Sequence, residues 1–157
     1  MNLYLAQCNI SRLKESLDHI SMKEFADFLE PVNLLADSSE GFIWRLKGEY
    51  GQASSNLQPV FEDEKMIINI TVWKDVQSLK KFTFNTVHQY FLKNRDKWMS
   101  KVEQIQFAMW WVPAHHTPGV EEAKQKLRLI EDIGSTPDAF TWKQQFDVEG
   151  MPVEIKL

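Results

Sequence analysis

Histidine is the side chain of this sequence best suited to acid–base chemistry near neutral pH, and three of its four histidines lie between residues 66 and 116. His88 falls at the edge of the apolar face of a predicted helix. A neutral imidazole at such a position could act as a general base or as an axial metal ligand. The alternative is a hydrogen-bonded histidine with a purely structural role. His88 is therefore the first candidate for a catalytic residue.

His115 and His116 follow the end of a predicted strand, and neighbouring residues of an extended chain point in opposite directions. They are poorly arranged to bind one metal ion together, and the single cysteine, Cys8, provides no thiolate cluster. No metal site is therefore predicted. We expect His116 either to line the mouth of a pocket or to bond the backbone where a helix starts at Thr117.

A strand, a long amphipathic helix and a second strand must position these histidines. The β-branched run from Met66 to Val72 predicts a largely buried strand. Asp75 then stands where an N-cap would, and one helix is predicted over 76–101. Alternating side chains from Gln104 to Val112 predict the second strand, which Pro113 ends because proline has no backbone N–H to donate.

The rest of the chain supplies further elements in a regular order. Residue periodicity predicts strands at 3–10 and 41–47, helices at 22–36 and 118–134, a loop at 48–63 and a tail at 135–157. The tail is expected to pack on the core or on a neighbouring chain. We predict a single α+β domain over 1–157 with its core at 3–112. The order is that of a ferredoxin-like βαββαβ fold, with two helices on one face of an antiparallel four-stranded sheet.

Apolar side chains occur at both alternating sets of positions in strands such as Tyr4–Ile10 and Ile105–Trp111. Because both main helices are predicted on one face, the opposite apolar face would be bare. A second copy of the chain is the expected cover. The sequence therefore predicts a homodimer in the form of a dimeric α/β barrel.

Composition excludes several classes of protein. A net charge of -4 and the lack of a basic cluster argue against a nucleic-acid partner. No apolar run reaches membrane-spanning length, and the N-terminus lacks a basic region followed by an apolar one. We expect a cytoplasmic protein with no membrane partner. No nucleophile elbow, phosphate-binding loop or dinucleotide fingerprint is present.

Six tryptophans indicate either an aromatic core or interface, or an aromatic pocket for a hydrophobic small molecule. Polar residues within the strands, Gln7, Asn9, Asn69, Thr71 and Gln106 among them, must be satisfied by a structural network or by a ligand. Several of them are expected to share one sheet face with Trp73 and Trp110. The candidate ligand-binding residues are Trp44, Trp73, Trp110, Trp111, His116 and Arg45.

Three segments carry a resemblance to a known group of proteins: GFIWRL, NITVWKDVQSLKKF and WWVPAHHTP. Over roughly 3–140 the chain resembles an uncharacterised bacterial domain-of-unknown-function family. That family resembles the dimeric α/β-barrel superfamily of antibiotic-biosynthesis-type and haem-degrading monooxygenases. The resemblance implies a pocket between sheet and helices, with Asn9 and His88 matching the Asn and the haem-ligating His of haem-degrading members. His88 follows the strand Trp more closely than in those enzymes, and Phe82 replaces their helix Trp.

Three functions follow from these observations. The first is an oxygenase-like enzyme, using no cofactor or haem, that acts on an aromatic or hydrophobic small molecule with His88 and Asn9 as catalytic residues. The second is a non-catalytic module that binds a small hydrophobic or haem-like ligand. The third is a structural dimer with a filled interior. Fold alone does not choose among them.

Overall fold

The computed structural model describes residues 2–47, 63–86 and 88–154. Its main feature is an antiparallel sheet, which in this part of the chain has five strands. They are β1 (Leu3–Leu13), β2 (Phe42–Arg45), β3 (Met66–Trp73), β4 (Met99–Ser100) and β5 (Phe107–Pro113). The strands run in the order β2-β3-β1, and β4 and β5 both pair with the other edge of β1. The predicted loop at 48–63 lies, apart from Asp63, outside the described residues.

Four α-helices occur in the described ranges. They are α1 (Lys23–Asp37), α2 (Val76–Asn85), α3 (His88–Lys93) and α4 (Val120–Ile133). The α+β class and the antiparallel sheet are confirmed, and the βαββαβ order is consistent with a ferredoxin-like fold. The homodimer and the barrel stay predictions. No helix in the described part of the chain is long and apolar enough to cross a membrane.

The two faces of the sheet are covered by different helices of the same chain. Alternate residues of β1, beginning at Leu5, face the layer that contains α1 and α2. The intervening residues, beginning at Ala6, face α4, which contributes Ala123, Leu127 and Ile130 to that core. The expectation of a bare second face is therefore wrong, because the apolar stripe of the C-terminal helix folds back onto it. The homodimer prediction loses the argument that motivated it.

The predicted single helix over 76–101 is also wrong, because the chain leaves the helical conformation at Thr86. This residue is extended, with φ -126° and ψ -174°, and its hydroxyl donates to the carbonyl of Phe82 at 2.6 Å. The same hydroxyl oxygen accepts from the backbone N–H of His88 at 3.2 Å. A threonine side chain that bonds nearby backbone groups competes with helical hydrogen bonds. Thr86 thus ends α2 and helps to begin α3 at His88.

The C-terminal tail packs on the core of its own chain. Phe140 exchanges two backbone hydrogen bonds with Met109 of β5, at 2.8 and 2.9 Å, and both side chains are fully buried. The tail then forms a small hairpin of β6 (Gln145–Phe146) and β7 (Pro152–Val153). The tail was predicted to pack either on the core or on a neighbouring chain, and the structure shows it on the core. This packing brings residues 140–146 beside the candidate site.

Candidate functional site

A cavity of about 420 Å³ lies between the sheet and the layer of α1, α2 and α3. One wall is formed by apolar side chains of α1, including Leu29, Val32 and Ala36. Aromatic rings from several elements line the rest of the walls: Phe25, Phe28, Phe82, Phe84, Phe91, Phe107 and Trp142. A mostly apolar cavity of this size is typical of sites that bind small molecules.

The floor of the cavity is polar and is supplied by β1 and β3. Gln7 stands opposite Thr71 and Asn9 stands opposite Asn69 in the strand register, so that all four side chains share one face. The Asn9 amide donates to Gln7 Oε1 at 3.3 Å, and Gln7 Nε2 donates to Thr71 Oγ1 at 2.7 Å. Trp73 Nε1 donates to the same hydroxyl oxygen at 2.8 Å. The predicted sharing of a face is confirmed for these residues and for Trp73.

His88 enters the cavity from the first turn of α3. Its Nδ1 lies 3.3 Å from the carbonyl oxygen of Thr83. Since a carbonyl oxygen only accepts hydrogen bonds, Nδ1 must carry the proton and Nε2 must present its lone pair. The imidazole also lies against the ring of Phe82, with centroids 5.3 Å apart. Nε2 has no hydrogen-bond partner among the described residues.

Burial lowers the pKa of His88 below its usual value of 6.5, and the bond to the Thr83 carbonyl opposes this only in part. The charged imidazolium is disfavoured because the surrounding rings replace water. At neutral pH the side chain is therefore a neutral imidazole with one unused basic nitrogen. A group in this state can accept a hydrogen bond or a proton from a bound molecule.

The lowered pKa predicts a pH dependence of stability. In the unfolded chain His88 takes up a proton near its ordinary pKa of 6.5, whereas in the folded protein it does so only at lower pH. The unfolded state therefore binds more protons in this window, and the free energy of unfolding should fall as the pH decreases from about 7 to about 5. His88→Gln should make this fall shallower. Chemical denaturation at both pH values measures the slopes, and equal slopes would contradict the assignment.

The four tryptophans predicted as pocket residues lie outside this cavity. Trp73 is fully buried beneath its floor and bonds Thr71. Trp111 is half-buried and donates to a backbone carbonyl of the tail at 2.9 Å. Trp110 points to the opposite face of the sheet, where Trp44 packs against the same core cluster. The expectation that Trp110 shares the polar face is wrong. It pairs with Ala6, and the side chains of both residues point to the face covered by α4.

Arg45 and His116 also lie away from the cavity and have partners of their own. Arg45 is buried and forms an ion pair with Asp37, with Nε and Oδ1 2.7 Å apart. His116 Nε2 lies 2.5 Å from Glu122 Oε1, and Glu122 Oε2 accepts from Trp110 Nε1 at 2.8 Å. These contacts connect β5 and the chain after it to α4. Both residues are accounted for by structural roles, whereas Asn9 and His88 are brought together on the cavity.

Cys8 faces α4 and is fully buried. Burial raises the pKa of its thiol to about 12, so the thiol stays protonated and unreactive near neutral pH. Within the described ranges, no group of three or more His, Cys, Asp or Glu side chains could hold a metal ion.

Sequence reasoning missed two residues of the site, Trp142 and Arg95. Trp142 stacks on Phe107, with centroids 5.6 Å apart, and meets Phe84 edge-on at 5.5 Å. It belongs to the tail, which shows no periodicity that would assign it to a face. Arg95 was included in the predicted long helix without a role. Its spacing of seven residues from His88, about two helical turns, was the available signal.

Comparison with protein-family models decides the relationship of the chain. A model described as "Domain of unknown function (DUF3291)" matches residues 4–155. The chain belongs to this family. The match covers both the cavity-forming elements and the tail, so a DUF3291 domain includes the complete site described above. None of the curated proteins matched the sequence.

Solved structures extend the comparison. A protein of unknown function from Nitrosomonas europaea, NE2512, superposes with a TM-score of 0.50 at 13% identity, covering 75% of this chain and 97% of that one. An uncharacterised NIPSNAP-like domain protein from Burkholderia xenovorans gives a TM-score of 0.40 at 10% identity, covering 75% and 90%. At such identity the likeness to NE2512 concerns the fold alone.

Proposed function

We propose that this DUF3291 domain binds one small, largely apolar molecule in the cavity and that the neutral imidazole of His88 accepts a hydrogen bond or a proton from it. The observation that carries the proposal is Nε2 of His88, which has no partner among the described residues, within an aromatic-walled cavity of about 420 Å³. Thr83 fixes the tautomer, and burial keeps the ring neutral. The imidazole is thus prepared for a partner that the described residues do not provide.

The polar floor supports the same proposal. Asn9 lines the cavity and donates from its amide N–H₂ to Gln7, and its side-chain oxygen makes no hydrogen bond to a described residue. Asn69, directly opposite, makes no side-chain hydrogen bond to a described residue and also lines the cavity. A few oriented polar groups within an apolar enclosure determine how a ligand is held, while burial of its apolar surface provides most of the affinity.

Binding can be tested with N-phenyl-1-naphthylamine, a neutral aromatic probe whose fluorescence rises in apolar surroundings. We expect saturable binding by the wild type. Leu29→Trp should reduce the affinity at least about tenfold, because the larger ring on α1 fills space in the cavity. Leu34→Trp is the matched control, since Leu34 lies on the same helix, is 55% exposed and does not line the cavity. Equal affinities of the two variants would contradict binding in this cavity.

A second candidate function is catalysis on the bound molecule, as in an oxygenase-like enzyme. It is favoured by the same nitrogen, which has no partner among the described residues, because a neutral imidazole facing a largely apolar cavity is a suitable general base. In this version His88 removes a proton from an acidic group of an aromatic substrate. Asn9 orients that group from the cavity floor.

Haem is the cofactor that the family resemblance implies for such a reaction, and the donor chemistry of His88 is compatible with it. Histidines that bind a metal commonly donate their other ring N–H to a backbone carbonyl, as His88 does to Thr83. In this version Nε2 of His88 would hold the haem iron, so His88 would not act as the general base, and haem would supply the activation of oxygen. Titration with haemin tests this version, since binding of the iron by His88 changes the absorption spectrum and His88→Ala should abolish the change.

A further inference from the structure

Arg95 is the one Lys or Arg side chain among the described residues that line the cavity. It begins the 3-10 helix Arg95–Lys97, which follows α3 directly. The side chain is half-buried, and no carboxylate of the described residues lies within ion-pair distance of it. The described lining also contains no Asp or Glu. Among the described residues, the lining of the cavity thus carries one positive charge and no carboxylate that compensates it.

Two other arginines show what this chain does with a structural guanidinium. Arg12 pairs with Asp63 and Arg45 pairs with Asp37, each with a nitrogen–oxygen distance of 2.7 Å. Arg95 departs from this pattern and lines a cavity whose walls are aromatic. A charge beside apolar walls is screened less than one on an open surface, so its attraction for an anion is stronger there.

We propose that the ligand of this cavity is an amphipathic monoanion. Its apolar body would contact the aromatic wall, and its carboxylate or sulfonate-type group would be bound by Arg95. This inference rests on the proposed function, since it names the class of molecule that occupies the same cavity. A guanidinium offers a planar pair of donors that matches the two oxygens of such a group.

The position of Arg95 relative to His88 sets the orientation of the ligand in the cavity. The two residues are separated by seven positions along α3 and the 3-10 helix, about two turns. At 1.5 Å per residue in a helix this corresponds to roughly 10 Å between the two backbone positions. We therefore place the anionic group of the ligand at a different point of the cavity from the part that meets His88. The carboxylate is thus a handle for binding rather than the group on which His88 acts.

The test compares two probes with the same carbon skeleton. N-phenyl-1-naphthylamine is neutral, and 8-anilino-1-naphthalenesulfonate adds one sulfonate to it. We expect the wild type to bind the anion more tightly than the neutral probe. Arg95→Gln should weaken binding of the anion about tenfold, as expected for loss of a hydrogen bond to a charged group, and change binding of the neutral probe less than about twofold.

Three variants control this comparison. Lys97→Gln removes one positive charge from the same 3-10 helix, where Lys97 lies over the ring of Trp98 and does not line the cavity. It should leave both affinities unchanged. Arg95→Lys keeps the positive charge but lacks the planar pair of donors, so it should lose part of the affinity for the anion. It replaces Arg95→Gln in the comparison if that variant does not fold. Leu29→Trp should weaken both probes if both occupy the cavity.

The outcomes separate this inference from the proposal beneath it. In one outcome, Leu29→Trp weakens binding of the neutral probe, the anion binds no more tightly than the neutral probe, and Arg95→Gln does not change the affinity for the anion. This result would contradict the proposal of an anionic ligand and would still support binding in the cavity. Equal losses in Arg95→Gln and Lys97→Gln would also contradict the inference, because they would show a nonspecific charge effect. If neither probe responds to Leu29→Trp, both proposals fail.

Discussion

Thr71→Val should lower the free energy of unfolding by about 2–4 kcal/mol, although the two side chains have nearly the same shape. The hydroxyl oxygen of Thr71 accepts from Gln7 Nε2 at 2.7 Å and from Trp73 Nε1 at 2.8 Å. All three side chains are buried, with Trp73 fully so. Valine would leave two buried donors without an acceptor, and each unsatisfied donor costs about 1–3 kcal/mol.

Thr71→Ser provides the control, because it keeps the oxygen and removes only a methyl group. We expect it to cost about 1 kcal/mol, the value of a small deletion in a packed interior. Urea denaturation at neutral pH, followed by circular dichroism, measures both variants. Equal losses for valine and serine would show that the floor network contributes packing rather than hydrogen bonding.

Gly41→Ala should be at least as damaging, with an expected loss of about 3 kcal/mol or more. Gly41 connects α1 to β2 with φ +82°, a conformation that L-residues rarely adopt. A Cβ at this position would lie 2.0 Å from Ser78 Oγ and 2.5 Å from Ser78 Cβ. Ser78 belongs to the first turn of α2, where its N–H and hydroxyl both donate to Asp75. The substitution therefore strains the backbone and disturbs the start of a cavity wall.

Gly134→Ala separates these two contributions. Gly134 ends α4 with a similar φ of +78°, but nothing lies within 4 Å of the position that its Cβ would take. It should show the backbone strain alone, about 1–2 kcal/mol. Thermal or urea denaturation of the pair measures the difference. A Gly41→Ala protein no less stable than Gly134→Ala would refute the close approach of Gly41 to Ser78.

The strand period explains why part of the site could be predicted. Because side chains alternate strictly along a strand, several polar strand residues were expected to share one face, and the structure shows this for Gln7, Asn9, Asn69 and Thr71. The strand inference needed only local periodicity, which survives folding. His88 does reach the cavity, but it begins a separate helix, α3, and does not continue the predicted helix over 76–101.

Long-range packing decided what the sequence could not. The stripe of α4 was recognised, but only the folded chain shows that it covers the second face of the sheet rather than extending the first layer. The break at Thr86 depends on one hydroxyl that bonds nearby backbone groups. These hydrogen bonds compete closely with those of a continued helix, so the sequence pattern does not predict which of the two forms.

The tryptophans illustrate a further limit. Their number indicated large apolar surfaces to bury, but a pattern of residues does not tell which buried face is filled and which is hollow. Trp73 and Trp110 complete solid parts of the core, whereas Trp142, in a segment without periodicity, lines the cavity.

The ring nitrogens of His88 offer the most direct test of the account, through the ¹⁵N spectrum of the histidine side chains near neutral pH. In the free protein, Nδ1 of His88 should be protonated and Nε2 should not, as required by the contact with Thr83. Saturating N-phenyl-1-naphthylamine should shift the Nε2 signal of His88 and leave that of exposed His115 unchanged. A protein that binds the probe while the His88 signals stay in place would contradict a ligand site in this cavity.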